Sequence, residues 1–203
     1  MERKTKKDVV SEFRHSALLD AARHVFGRRG FADASVDEIA RRAGVAKGTV
    51  YLYYRSKRAL YWASLREGLV ALSDEIRGKV EEGVSLRDKI EAFVATKVSY
   101  FEAHRDFVQI YYAELSNAAA NPCVSRRDFK DISLKQVRIL KDAVHGAVKR
   151  REIPPVAEEP AAYAILDLTR GVITRRLMGS SGARPEKEID FVVDVAWKAF
   201  GPR

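Results

Sequence analysis

The sequence predicts an all-α protein: a small N-terminal three-helix unit, then a larger helical body, about nine helices in total. Three observations predict this. Apolar residues recur at three- and four-residue spacings along most of the chain. No segment alternates apolar and polar residues long enough to be a strand. The six prolines and twelve glycines among 203 residues cluster at a few places, which leaves long stretches free of helix breakers. With 46% hydrophobic and 32% charged residues, the chain suits one or two globular domains with a sizeable core.

The elements follow in order. Residues 1–10 read as a polar, mobile arm. The first helix is expected from about Ser11 to Arg29, with Leu18, Ala21, Ala22, Val25 and Phe26 on one face and Gly30 as a left-handed cap. Ser35-Val-Asp-Glu38 is a capping box that opens the second helix, and Asp37 and Glu38 suit its positive end. Val36, Ile39, Ala40 and Ala43 form its inner face, and Gly44 makes the turn. The third helix is expected at about Ala46 to Tyr53, with Val50 and Tyr54 turned inward. The fourth begins after Ser56 and runs to about Glu82 along Leu65, Leu69, Leu72, Ile76 and Val80.

Ser85-Leu-Arg-Asp88 caps the fifth helix, whose inner face is Ile90, Phe93, Val94, Val98 and Phe101. A break near His104 leads to a sixth helix ending at about Asn117. Asn121-Pro122 is a turn, and Ser125-Arg-Arg-Asp128 caps a seventh helix to about Arg151. Pro154-Pro155 separates it from an eighth, Glu158 to Met178. Gly179-Ser-Ser-Gly182 is a flexible joint, and Pro185 suits the first position of the ninth helix. The expected domains are residues 1–55 and 56–203.

The net charge of +9 is unevenly spread. Residues 1–60 hold 14 Lys/Arg and 7 Asp/Glu, whereas residues 61–203 hold 23 and 21. The first third is therefore the part expected to meet a polyanion. A solvated tail of Arg3, Lys4, Lys6 and Lys7 explains part of the excess. One cysteine, Cys123, excludes an internal disulfide and fits a reducing cytosol. The basic N-terminus lacks the apolar segment of a signal peptide, and no apolar run approaches the roughly 20 residues that span a bilayer. The four histidines show no metal-ligand spacing with Cys123. No phosphate-cradling glycine loop or nucleophile motif appears. No cofactor, metal or catalytic activity is expected.

Residues 35–57 carry the functional expectation. A helix pair around Gly44 is by itself a common packing motif. Here the outer face of the second helix of the pair presents Lys47, Gly48, Thr49, Tyr51 and Tyr53, where a core helix would carry leucines. Gly48 in a first turn costs roughly 1 kcal/mol against alanine, yet it lets another backbone come close. Lys57 and Arg58 oppose the dipole of the helix they open, an effect that a bound phosphate reverses. Ala46 offers no capping oxygen to the third helix. These features fit a helix lying in a DNA groove.

Residues from about Leu18 to Leu65 resemble the N-terminal domain of the TetR family of bacterial transcriptional regulators. The resemblance is carried by Ala21-Ala22, Phe26, Gly30-Phe31, Ser35-Val36, Ile39-Ala40, Ala43-Gly-Val-Ala-Lys-Gly-Thr-Val-Tyr51, Tyr53-Tyr54, Ser56-Lys57 and Leu60. Ala46 replaces the usual serine, Tyr54 the usual phenylalanine, and Arg58 a commonly acidic residue. The resemblance implies that the third helix is the recognition helix. Lys47, Thr49, Tyr51 and Tyr53 would then meet bases and nearby phosphates, Gly48 would allow close approach, and Ser35 and Lys57 would hold phosphates at the groove rims. Lys47 suits a guanine and Thr49 a thymine methyl or a phosphate.

One such helix buries too little surface for tight specific binding, so a homodimer on a palindromic duplex, with half-sites about 34 Å apart, is expected. The resemblance puts the dimer interface on the last two helices, at Ile165, Leu168, Val172, Ile189, Val192, Val193, Ala196, Trp197 and Phe200. Phe191 and Val195 lie on a further apolar face of the ninth helix.

Residues 93–112 hold six aromatics in twenty positions. An apolar wall with a few polar tips is what small-molecule pockets use; an aromatic core with surface-reaching hydroxyls has the same composition. Tyr100, His104, Tyr111 and Tyr112, with Trp62 and Tyr163 as neighbours, are the candidate lining groups for a largely apolar effector. The expectation is a cytoplasmic, ligand-responsive repressor of double-stranded DNA, with no membrane partner. The alternatives are an effector-independent regulator or activator, and a small-molecule enzyme or carrier.

Overall fold

A computed structural model describes residues 6–120 and 127–201. Within them the chain forms nine α-helices and no strand: α1 Lys6–Asp33, α2 Val36–Arg42, α3 Lys47–Tyr53, α4 Lys57–Glu82, α5 Leu86–Ala103, α6 Arg105–Ala120, α7 Arg127–Lys149, α8 Glu158–Leu177 and α9 Pro185–Phe200. None of the described helices is long and apolar enough to cross a membrane.

The order of elements is the expected one, with shifts at several ends. Helix α1 begins at Lys6, so Lys6 and Lys7 belong to a helix rather than to a polar arm. It breaks at Gly30 (φ 73°, ψ 173°) and resumes for one more turn to Asp33. Helix α6 runs a turn beyond Asn117, and α7 ends at Lys149, two residues early. The expected Asn121-Pro122 turn, the Ser125 cap, Cys123 and the basic residues Arg3 and Lys4 lie outside the described residues.

The described residues divide into two compact units. One comprises those of Met1–Gly68 and His104–Ser125, the other those of Leu69–Ala103 and Arg126–Arg203. This differs from the boundary at 55/56 expected from the sequence: α4 contributes to both units, and α6 joins the helix-turn-helix. The cause is close packing in the first unit. A Cβ on Gly27 would lie 2.6 Å from the Asp106 carbonyl oxygen, and one on Gly68 would lie 2.5 Å from the Phe107 ring. Glycine at both places lets α6 approach α1 and α4 closely. His24 Nδ1 and Asp106 Oδ2 stand 2.8 Å apart, and Tyr61 donates to Glu114 at 2.8 Å.

In the same unit Leu18, Ala21, Ala22, Val25 and Phe26 are buried, as are Val36, Ile39 and Ala40 of α2 and Leu60 and Leu65 of α4. Each fully buried large aliphatic contributes roughly 1.5–3 kcal/mol. Phe26 meets the Tyr61 ring edge-on at 5.1 Å, and Phe31 meets it at 5.2 Å.

In the second unit α5 packs on α7, α8 and α9. Its predicted inner face, Ile90, Phe93, Val94, Val98 and Phe101, is buried throughout. The Ser85 box closes in both directions: Asp88 N–H donates to Ser85 Oγ at 3.1 Å, and Ser85 N–H donates to Asp88 Oδ2 at 2.9 Å. Hydrogen bonding to Ser85 holds the Asp88 carboxyl below its ordinary range. Fully buried between these apolar residues is Lys97, whose ammonium donates to Gln136 Oε1 on α7.

Candidate nucleic-acid interface

Ser35 has extended backbone angles and its Oγ accepts from Glu38 N–H at 3.0 Å, so it caps α2 as expected. The Glu38 carboxylate meets Arg29 at 3.5 Å. Gly44, at φ +68°, turns the chain between α2 and α3; an L side chain there would be strained. Ala46 stands at the N-cap of α3 without a side-chain hydrogen bond, which leaves the first N–H groups of that helix open to water or to an anion.

In α3 only Val50 is buried. Lys47, Gly48, Tyr51, Leu52 and Tyr53 are exposed and Thr49 is half-buried. A Cβ on Gly48 would meet nothing within 4 Å, so that face is open. The structure thus brings Lys47, Gly48, Thr49, Tyr51 and Tyr53 onto one short helix. Leu52, at 85% exposure, stands among them and was not singled out from the sequence, because a leucine in a helix reads as core. Tyr54 is half-buried; its hydroxyl lies 2.5 Å from His15 Nε2, and burial pushes it up to about 12.

Two of the expected contact residues have partners of their own. Lys47 Nζ donates to Asp37 Oδ2 across the turn at 2.7 Å, and this bond raises the lysine above its ordinary range. Lys57 Nζ donates to the carbonyls of Ala32 at 2.9 Å and Ala34 at 2.8 Å, and lies 4.8 Å from the Phe31 ring centre. A cation in the first turn of α4 therefore has an intrachain reason: it satisfies carbonyls at the α1–α2 junction. Arg58 lies 5.9 Å from the same ring. Ser56 caps α4, its Oγ accepting from Ala59 N–H at 3.1 Å.

The expected body residues fall differently. Among the proposed lining groups, Trp62, His104, Tyr111 and Tyr112 belong to the first unit and Tyr100 and Tyr163 to the second. Tyr100 and Tyr111 are buried, Trp62 and Tyr112 half-buried, and His104 and Tyr163 exposed. The second unit has an open groove of about 1080 Å³ between α8 and α9. None of the six lines it. Of the nine expected dimer residues, Ile165, Val172, Val192, Val193 and Ala196 are buried in the protomer's own core, and Trp197 lies 6.0 Å from the Arg87 guanidinium of α5. Ile189 is half-buried outside the groove. Leu168, Val172, Val192, Ala196 and Phe200 line the groove, together with Phe191, Val195 and Ala199. The open apolar surface is therefore rotated toward the further face of α9.

Three comparisons bear on this chain. Residues 18–63 match the model of the bacterial regulatory proteins of the tetR family. The chain is similar to the HTH-type transcriptional repressor KstR2 of Rhodococcus jostii, 33% identical over 108 residues, 53% of each chain. The chain thus spans about half the length of that relative. It is also similar to the HTH-type transcriptional regulator BetI of Escherichia coli, 25% identical over 169 residues, 82% of this chain and 83% of BetI. Among solved structures it shares the fold of the transcriptional regulator FadR from Bacillus subtilis in complex with stearoyl-CoA. The TM-score is 0.79 at 19% identity, covering 90% of this chain and 97% of that one. The helix-turn-helix at residues 18–63 matches the tetR-family N-terminal domain, and the chain shares its all-α fold with the solved regulator.

Proposed function

We propose that the protein is a transcriptional repressor that binds a palindromic duplex as a homodimer and is released by a small, largely apolar effector. The observation that carries this is the outer face of α3: a seven-residue helix with one buried residue, which exposes Lys47, Gly48, Tyr51 and Tyr53 and leaves Thr49 half-buried beside them. In this reading Lys47 and Thr49 meet base edges, and Tyr51, Tyr53, Ser35 and Lys57 hold phosphates. Phosphate contacts fix position and base-edge contacts fix sequence.

The second copy docks on the α8–α9 groove, where Phe191 is 61% exposed. A contiguous apolar groove is what a self-complementary partner covers. An effector held in the helical body acts by binding the DNA-free form more tightly, since equal affinity for both forms shifts nothing. FadR with stearoyl-CoA is the parallel among similar folds. Continuous α4, from Lys57 to Glu82, carries the change toward Ser56 and the recognition pair.

A gel shift over a range of salt concentrations tests the reading. Enrichment of random duplexes on the full chain should yield a palindrome, and its affinity should fall steeply with salt through counterion release. A salt-independent shift, or enrichment of no sequence, would overturn it.

A further inference from the structure

We propose that Asp37 is a specificity-setting residue that acts through Lys47: it holds the lysine for a base edge and keeps it off the phosphate chain. The inference rests on the reading of α3 as a DNA-reading helix. Its basis is a misplaced charge. In a segment with 14 cations and 7 acids, one carboxylate is bonded to the helix meant for a polyanion. Asp37 Oδ2 accepts from Lys47 Nζ at 2.7 Å, and both side chains are more than half exposed. An exposed pair of this kind adds little stability, and an acid facing DNA weakens its attraction. Acidity in the first turn of α2 favours that helix, but Glu38 also supplies it, with its carboxylate on Arg29.

The geometry gives the pair another use. A free lysine is a point charge on a flexible stem that meets the nearest phosphate, a contact without sequence information. With one N–H committed to Asp37, the ammonium is oriented before DNA arrives, and two N–H groups remain for guanine O6 and N7. The two remaining donors match the two acceptors that a guanine presents in the major groove. The ordering is done in the free protein, so less is lost on binding.

The test uses the full chain and the duplex that wild type enriches from a random pool. Dissociation constants are measured for that duplex and a scrambled one, at several salt concentrations, for wild type, D37N, D37E, K47A and K47A/D37N. D37N should bind scrambled DNA about 3- to 10-fold more tightly and steepen the salt dependence by about one counterion. It should lower the ratio of specific to scrambled affinity by about 10-fold. D37E, which keeps the carboxylate, should retain most of that ratio. In the K47A background D37N should no longer change it, because the effect passes through the lysine. A D37N ratio equal to wild type, or parallel losses on both duplexes, would overturn the assignment while DNA binding stands. Failure of wild type to enrich any duplex would sink the DNA reading and this inference together.

Discussion

Among the described residues, the α3 and α9 surfaces both leave large side chains in water, and they differ in the charges around them. On α3, Tyr51 and Leu52 are 45% and 85% exposed. Near them in the chain, Arg41, Arg42 and Arg55 make no ion pair among the described residues. On α9, Phe191 stands over an apolar groove in which Asp167, Arg175 and Glu188 are ion-paired and Lys187 is the exception among the described residues. Glu188 takes Arg176 at 2.8 Å, Arg175 at 3.1 Å and Ser181 at 2.7 Å, and Arg176 also meets Glu102. Burial alone would raise the Glu188 carboxyl, but the bonds from Arg176 and Ser181 carry it below its ordinary range. Exposed aromatic groups among unmatched cations suit a polyanion. Exposed apolar groups among mostly matched charges suit another apolar surface.

The largest expected effect breaks the second surface and spares the first. On the proposed dimer, Phe191→Glu places a carboxylate from each copy in one apolar groove. Sedimentation should show monomers, and affinity for the palindromic duplex should fall by about 100-fold or more. Lys47→Ala should leave the dimer intact and lower discrimination. Dimers that survive Phe191→Glu would move the interface away from this groove.

The interiors sharpen the contrast. Among the described residues the first unit has no fully buried cation, whereas the second has Lys97. Lys97 is fully enclosed, 5.8 Å from the Phe93 ring centre and 5.7 Å from that of Phe101. Burial first, then the Arg170 charge, lowers its ammonium to about 7, against a smaller opposing effect of Asp167. The folded value lies below the unfolded one of 10.5. Between pH 7 and 10.5 the unfolded chain thus holds the extra proton, and stability rises with pH; well below 7 both states are protonated and the contribution is flat. Urea unfolding should give about 2 kcal/mol more stability at pH 9 than at pH 7. Tyr54 and Tyr61, kept protonated by the fold, act in the opposite direction only near pH 10 and above. Lys97→Met should flatten the rise; a slope unchanged by that substitution would place its origin elsewhere.

What the sequence made legible was local. The Ser35 cap, though not the return bond from Glu38, the Ser85 box, Gly44, Pro185 and the stripes of α1, α4 and α5 each depend on residues within a turn or two. The outer face of α3 was legible for the same reason, since Val50 fixes which side is in. The missed features join distant residues of unremarkable type. Nothing in the sequence marks Gly27 and Gly68 until Asp106 and Phe107 lie against them, and nothing marks Lys97 until Gln136 meets it. Lys57 reads as a phosphate ligand until the carbonyls of Ala32 and Ala34 come within reach. On α9 the periodicity was visible, but which of its two apolar stripes faces inward depends on α5 and α8.

Lys57 and Lys47 are therefore unequal, although both are expected at DNA. Lys57→Met removes two hydrogen bonds to backbone carbonyls, a loss of roughly 1–3 kcal/mol of stability. It should also weaken all duplexes alike and reduce the salt dependence by about one counterion. Lys47→Ala removes an exposed pair with Asp37 and should leave thermal unfolding almost unchanged. A Lys57→Met protein as stable as wild type would show that its carbonyl contacts contribute nothing to the fold.

The smallest effect separates fold from contact at Ser35. Its Oγ accepts from Glu38 N–H at 3.0 Å and the side chain is exposed, so one oxygen serves the α2 cap while the hydroxyl hydrogen stays available for a phosphate. Ser35→Ala should cost about 1 kcal/mol through the lost cap and also weaken DNA binding without altering sequence preference. Ser35→Asp keeps an acceptor for the cap but presents a negative charge to the phosphate, so it should restore stability and not affinity. Recovery of both by aspartate would mean that Ser35 acts on DNA only by holding α2 in place.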